Sequence, residues 1–230
     1  MLSLAQHHAE VLERIARAER QYGRPAGSVQ LLGASKGQSV AAVRALAARG
    51  LRRFGESRVV EAIPKLAECA DLSIEWHYIG VVQANKTAVI ANQFAWVQSL
   101  DRARVALRLN AQRSADGPPL NVCVQVNLDL EATKAGVPPS GMADLAKLIM
   151  DQPRLRLRGV MSVPAPRKSF GEQREAFRRL ADLYGQLQAA GCAIDTLSIG
   201  MSADFEAAIA EGATIVRIGT DLFGQRNATR

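Results

Sequence analysis

Leu31-Leu32-Gly33-Ala34-Ser35-Lys36 is a short apolar run that lacks helical periodicity and ends in a lysine. The turn residue Gly37 follows it, and then an alanine-rich stretch with helical spacing. A run of this kind predicts a buried strand that enters a β-α unit. Lys36 then lies at the carboxyl end of that strand, where α/β barrels place their chemistry.

The same alternation of strand and helix continues through the chain. An amphipathic helix is predicted over about residues 2–22, before the first strand. The eight predicted strands are 29–35, 53–56, 75–80, 95–100, 121–127, 155–163, 196–201 and 214–219. Asp101 and Ser202 are predicted to cap the helices after the fourth and seventh strands. Short connections and 230 residues favour one α/β domain over residues 1–230, a closed (β/α)8 TIM barrel with an extra N-terminal helix. An open, doubly wound sheet is the alternative.

Composition and cysteine usage restrict the class of protein. Hydrophobic residues make up 48% of the chain, which is enough for a sizeable core. The sequence has three widely spaced cysteines, Cys69, Cys123 and Cys192, and no C-x-x-C motif. This pattern favours a reducing compartment and predicts neither a disulfide framework nor a zinc site. No secretory or membrane-spanning pattern is visible, so we expect a cytoplasmic protein with no membrane partner. From the cysteine pattern we expect no bound metal.

The chain is basic, with a formal net charge of +7. Its lysines and arginines are scattered along predicted helices, often beside Glu or Asp, and no basic block is interleaved with aromatic residues. This pattern favours a solvated surface that attracts anionic small ligands over a nucleic-acid-binding face, so we expect no nucleic-acid partner.

Lys36 has the position of a reactive amine. Burial at the strand end would lower the pKa of the lysine, because the charged form loses solvation. A neutral amine is the group that forms a Schiff base with an aldehyde. In a closed barrel the eighth strand pairs with the first, which brings Arg217 close to Lys36, and a fixed positive charge also favours the neutral amine.

Two loops at the same end of the barrel have the chemistry of a phosphate site. Gly200-Met201-Ser202 leaves the seventh strand, and Gly219-Thr220 leaves the eighth. Barrels often bind phosphate in the loops after strands seven and eight, through hydroxyls and backbone N–H groups. Together with Lys36 and Arg217, these loops indicate a phosphorylated aldehyde. Pyridoxal 5′-phosphate fits this combination, since it carries an aldehyde, a phosphate and a ring nitrogen that can accept a hydrogen bond.

A class I aldolase is an alternative that fits the same residues less well. Such an enzyme needs an acid or base beside the Schiff base, and the predicted strand ends carry few carboxylates. Glu56 is the best candidate for that group.

Several motifs spread over nearly the whole chain resemble one family. They are Ala34-Ser35-Lys36, Phe54-Gly55-Glu56, Trp76-His77-Tyr78-Ile79-Gly80, Gln83-Ala84-Asn85-Lys86, Leu197-Ser198-Ile199-Gly200-Met201-Ser202 and Val216-Arg217-Ile218-Gly219-Thr220. On these motifs the sequence resembles the YggS/PROSC family of pyridoxal phosphate homeostasis proteins. The resemblance implies a fold type III barrel like the N-terminal domain of alanine racemase.

The resemblance also implies roles for particular residues. It places the cofactor Schiff base on Lys36, the phosphate contacts on Ser202, Gly219 and Thr220, and the ring-nitrogen contact on Arg217. Ser57 replaces the usual asparagine of the family and can donate a hydrogen bond with less reach. The predicted cofactor-binding residues are therefore Lys36, Ser57, His77, Met201, Ser202, Arg217, Gly219 and Thr220.

The resemblance favours a cofactor carrier without robust turnover over an enzyme. A racemase of this fold type needs a second acid/base, which alanine racemases supply from a C-terminal domain, whereas this sequence ends soon after the eighth strand. Tyr22 and Tyr184 fall on predicted outer helices and Tyr78 falls within a strand. We therefore expect no catalytic residues, a monomer, and transient contacts with apo-enzymes that use the cofactor. A weak racemase or transaminase is the alternative.

Overall fold

The chain forms a closed barrel of eight parallel strands in the order of the sequence. A computed structural model describes residues 3–224, so the predicted helix start at residue 2 and residues 225–230 of the predicted domain lie outside it. The strands are β1 (Gln30–Ala34), β2 (Arg53–Glu56), β3 (Glu75–Tyr78), β4 (Trp96–Leu100), β5 (Leu120–Gln125), β6 (Leu155–Met161), β7 (Thr196–Ser198) and β8 (Ile215–Ile218).

Helices surround the barrel and cover its outer face. They are α1 (Leu4–Gln21), α2 (Val40–Ala47), α3 (Val59–Glu68), α4 (Thr87–Gln93), α5 (Ala103–Gln112), α6 (Met142–Met150), α7 (Phe170–Ala189), α8 (Phe205–Ala210) and α9 (Thr220–Phe223). The predicted N-terminal helix is confirmed as α1, and Ser3 and Gln6 form a capping box at its start. Arg14 of α1 forms ion pairs with Glu206 of α8 and Asp221 of α9, which join α1 to these two helices.

Pairing between the first and last strands closes the barrel. Leu32 lies opposite Arg217, and Gly33 lies opposite Ile218. An open sheet would leave both strands as edges, so the predicted barrel is confirmed and the doubly wound alternative is wrong. The main core lies between the strands and the helices. A second, smaller buried cluster consists of Trp96, Cys123 and Met161. No helix in the described range is long and apolar enough to cross a membrane.

Both predicted helix caps are wrong. Helix α5 begins one residue later than expected, so the Asp101 carboxylate accepts a hydrogen bond from Arg102 Nε (2.9 Å) and caps no helix. Strand β7 ends at Ser198 and α8 begins at Phe205, which leaves Ser202 in the connecting loop. Its Oγ accepts a hydrogen bond from the Asp221 backbone N–H (3.2 Å), so the serine ties two loops together.

Candidate functional site

A cavity of about 250 Å³ opens at the carboxyl ends of β1 and β8. Six of the eight residues predicted from the sequence contribute to its lining: Lys36, Met201, Ser202, Arg217, Gly219 and Thr220. The closure of the barrel brings them together, because residues from opposite ends of the sequence meet where β1 pairs with β8. Ala34, Gln38, Ala203 and Gly224 complete the lining.

Lys36 lies at the edge of this cavity, two residues beyond the end of β1. The expected burial of its side chain is wrong, because Lys36 is exposed. The chain turns directly after it at Gly37, whose φ of 71° lies in the left-handed region that favours glycine. The buried residue is instead Ser35, whose hydroxyl donates to Glu56 Oε1 (2.6 Å). Desolvation is therefore no source of reactivity for Lys36 in this structure.

Glu56 does not occupy the position that an aldolase would require. Its carboxylate is buried and accepts hydrogen bonds from Ser35 and from Lys65 Nζ (2.5 Å). It does not line the cavity, and neither do its two partners. The structure therefore gives no support to Glu56 as an acid or base for a ligand beside Lys36.

Arg217 forms the floor of the cavity. Its Nη1 donates to the carbonyl oxygen and the hydroxyl of Ser198 (both 2.7 Å), and its Nη2 donates to the carbonyl oxygen of Ser162 (2.8 Å). Burial lowers the pKa of Arg217 to about 10, so the guanidinium still carries its charge at neutral pH. Within residues 3–224 no acceptor bonds to Nε or to the second hydrogen of Nη2. These N–H groups are available to a ligand atom that accepts a hydrogen bond.

The loops after β7 and β8 form a second group of donors. Ser202, Ala203, Gly219 and Thr220 line the cavity, and their backbone N–H groups donate no hydrogen bond within the described part of the chain. The hydroxyl of Ser202 uses an acceptor site for Asp221 and keeps its hydrogen to donate. Such a set of donors fits an oxyanion such as phosphate.

Gly200 gives the loop after β7 its path. Its φ is 91°, and a Cβ at this position would lie 2.7 Å from Ala208 Cβ and 2.9 Å from Phe205 Cα. Another residue would therefore displace α8 or the loop itself. The glycine allows the chain to turn from β7 and bring Ser202 to the cavity.

Two predicted residues lie elsewhere. Ser57 lines a neighbouring cavity that shares Lys36 and Gln38 with the first. His77 is fully buried in the barrel, where its ring stacks on Trp96 with centroids 5.0 Å apart. The structure therefore does not bring His77 to the cavity.

Comparison with known proteins first gives the structural class, which is that of the N-terminal domain of alanine racemase. The family model for the N-terminal domain of alanine racemase matches residues 7–227. Alanine racemase of Clostridium difficile shares the fold at a TM-score of 0.74 and 15% identity, over 95% of this chain and 60% of that one.

Closer relatives then define the family. The pyridoxal phosphate homeostasis protein of Pseudomonas aeruginosa is 49% identical over 227 residues, which cover 99% of this chain and 97% of that protein. The structure of PipY of Synechococcus elongatus with pyridoxal phosphate bound gives a TM-score of 0.81 at 35% identity, over 93% of this chain and 100% of that one. The chain belongs to the YggS/PROSC family of pyridoxal phosphate homeostasis proteins.

Proposed function

We propose that the chain binds pyridoxal 5′-phosphate in the cavity beside Lys36 and takes part in the homeostasis of that cofactor. The observation that carries the proposal is the arrangement of three kinds of group around one cavity: an amine, a buried guanidinium and a set of backbone N–H groups that donate no hydrogen bond within residues 3–224. PipY, which was solved with the cofactor bound, has the same fold at 35% identity.

Each part of the cofactor has a counterpart in the lining. Lys36 would hold the aldehyde carbon as a Schiff base, and Arg217 would donate to the ring nitrogen. Ser202, Gly219 and Thr220 would hold the phosphate, while Met201 provides an apolar contact. The cofactor supplies an aldehyde that bonds reversibly to amines, and this chemistry suits storage and release. The loops and the guanidinium orient it.

The phosphate is expected to contribute a large part of the affinity. Charge-assisted hydrogen bonds are each worth about 1.5–3 kcal/mol, so the loss of two of them weakens binding by at least about 100-fold. Pyridoxal, which lacks the phosphate, should show this loss against pyridoxal 5′-phosphate in parallel titrations of the purified protein. Equal affinities for the two compounds would refute the phosphate site.

We propose that the bound cofactor undergoes no robust turnover. Among the residues described, Lys36 and Arg217 are the titratable groups that line the cavity, and arginine is a poor proton acceptor. The tyrosines lie elsewhere, since the hydroxyls of Tyr78 and Tyr184 donate to backbone carbonyl groups away from the cavity. The described residues that line the cavity therefore include no second acid/base that could remove and return an amino-acid α-proton.

This proposal predicts no exchange of the α-proton of L-alanine beyond the rate with free cofactor. The loss of the α-proton signal in D2O, followed by proton NMR, measures the exchange, and pyridoxal 5′-phosphate with Lys36→Ala protein is the control. Exchange that needs the wild-type protein and exceeds this background would favour the weak racemase or transaminase instead.

We also propose that the protein acts as a monomer in the cytoplasm and passes the cofactor on through transient contacts with apo-enzymes. Recovery of an apo-enzyme's activity tests this step. Cofactor bound to the protein should restore activity even when a scavenger of free pyridoxal 5′-phosphate is present. Complete suppression by the scavenger would show that the cofactor is only released into solution.

A further inference from the structure

A continuous chain of side-chain hydrogen bonds crosses the inside of the barrel below the cavity. Arg217 Nη1 and the Ser198 hydroxyl lie 2.7 Å apart, and the same hydroxyl lies 2.7 Å from Gln98 Oε1. Gln98 Nε2 lies 2.9 Å from His77 Nδ1, and His77 Nε2 lies 3.0 Å from Glu75 Oε1. This hydrogen-bond chain therefore joins Arg217, on the cavity floor, to Glu75, the first residue of β3 at the opposite end of the barrel.

The two ends of this hydrogen-bond chain, together with a neutral His77 ring, fix the direction of every hydrogen bond in it. Arginine only donates and a carboxylate only accepts, so His77 Nε2 carries the proton that bonds to Glu75. The hydrogen bond from His77 lowers the pKa of Glu75 to about 2, and burial lowers the pKa of His77. His77 is thus a neutral imidazole whose Nδ1 accepts from Gln98. The Gln98 oxygen then accepts from the Ser198 hydroxyl, and the serine oxygen accepts from Arg217.

Such a chain is unusual for the inside of a barrel. Branched apolar side chains normally fill this space, and a buried polar group is costly unless it is hydrogen-bonded. Ser198, Gln98 and His77 are each nearly or fully buried, and each uses both a donor and an acceptor in the chain. Arg217 makes no ion pair with any carboxylate in residues 3–224, and the chain connects it to one.

We propose that Ser198, Gln98 and His77 are positioning residues that fix the guanidinium of Arg217 so that its remaining N–H groups face the ring nitrogen of pyridoxal 5′-phosphate. This role rests on the proposed function. Gln98 accepts the hydrogen of the Ser198 hydroxyl, which leaves the serine oxygen oriented to accept a hydrogen bond from Arg217. The His77 ring accepts from the Gln98 amide nitrogen, and this contact turns the amide oxygen toward the serine. None of the three contacts the ligand.

The test uses an analogue of pyridoxal 5′-phosphate in which C–H replaces the ring nitrogen. Wild-type protein is expected to bind the natural cofactor more tightly than the analogue, since only the cofactor accepts a hydrogen bond from Arg217. Gln98→Leu cuts the chain and should lower this preference by about threefold to tenfold, the equivalent of one net hydrogen bond. Ser198→Ala is a smaller substitution that interrupts the hydrogen-bond chain at the serine, and it should also lower the preference for the cofactor over the analogue.

A matched control is Ser99→Ala. Ser99 is also buried in β4, but its hydroxyl donates to the carbonyl oxygen of Gly80, outside the chain. This variant should leave the preference unchanged, and a general loss of stability would weaken both ligands equally. Retention of the full preference in folded Gln98→Leu and Ser198→Ala would overturn the positioning role. If wild-type protein shows no preference at all, the ring contact of the proposed function fails, and the positioning role fails with it.

A second readout needs no ligand. Long-range proton–nitrogen NMR of the wild-type protein should show His77 with a protonated Nε2 and an unprotonated Nδ1. A proton on Nδ1 would contradict the direction of the chain, because Gln98 would then have to present its oxygen to His77 and its amide nitrogen to Ser198.

Discussion

Lys36→Ala is expected to weaken the binding of pyridoxal 5′-phosphate by at least about 100-fold, because the variant keeps the phosphate loops and loses the covalent bond. Equilibrium dialysis with the purified protein measures the change. Lys86→Ala is the control, since Lys86 lines a third cavity, which contains neither Lys36 nor Gln38, and does not line the proposed cofactor site. Unchanged affinity in the Lys36 variant would show that the cofactor is held without this residue.

Arg217→Glu is expected to lower the free energy of unfolding by about 3–5 kcal/mol, because it buries a carboxylate without a cationic partner and removes the donor for three buried oxygen acceptors. The arginine donates to two backbone carbonyl oxygens and to the Ser198 hydroxyl, and a carboxylate would place another acceptor against them. Urea unfolding monitored by circular dichroism measures the loss.

The control for this substitution is Arg104→Glu. Arg104 is exposed in the first turn of α5, where a negative charge suits the helix dipole. We expect the control to change stability by less than about 1 kcal/mol. A similar stability for the two variants would contradict the buried network around Arg217.

Much of the fold follows from local patterns. The run that ends at Lys36 and the regular alternation of strands with helices predicted a barrel, and the pairing of β1 with β8 confirms it. The helix caps failed because a cap depends on the backbone angles of one residue, and α5 and α8 start later than the residue types indicated. The exposure of Lys36 depends on the turn at Gly37, which a strand pattern does not describe.

The grouping of several predicted residues around one cavity could be predicted, because the order of the strands in a closed barrel fixes their positions. Lys36, Ser202, Arg217 and Thr220 come from strand ends that a closed barrel must bring together. His77 does not reach the cavity because its side chain is fully buried inside the barrel, where both ring nitrogens already have partners in Gln98 and Glu75.

Gln98 and Ser198 were missed, although a signal for them exists. Both are polar residues within barrel strands, as are His77 and Arg217. Their connection depends on the register of β3, β4, β7 and β8, which the sequence does not reveal. Polar residues at inward positions of several strands are therefore a pattern that would have indicated a buried network.

The most direct test of the central claim is to map the attachment site of the cofactor. Purified protein is loaded with pyridoxal 5′-phosphate, reduced with borohydride and digested, and the peptides are identified by mass spectrometry. We predict a pyridoxyl phosphate adduct on the peptide that contains Lys36. An adduct found only on another lysine, or none at all in cofactor-loaded protein, would contradict the proposed site.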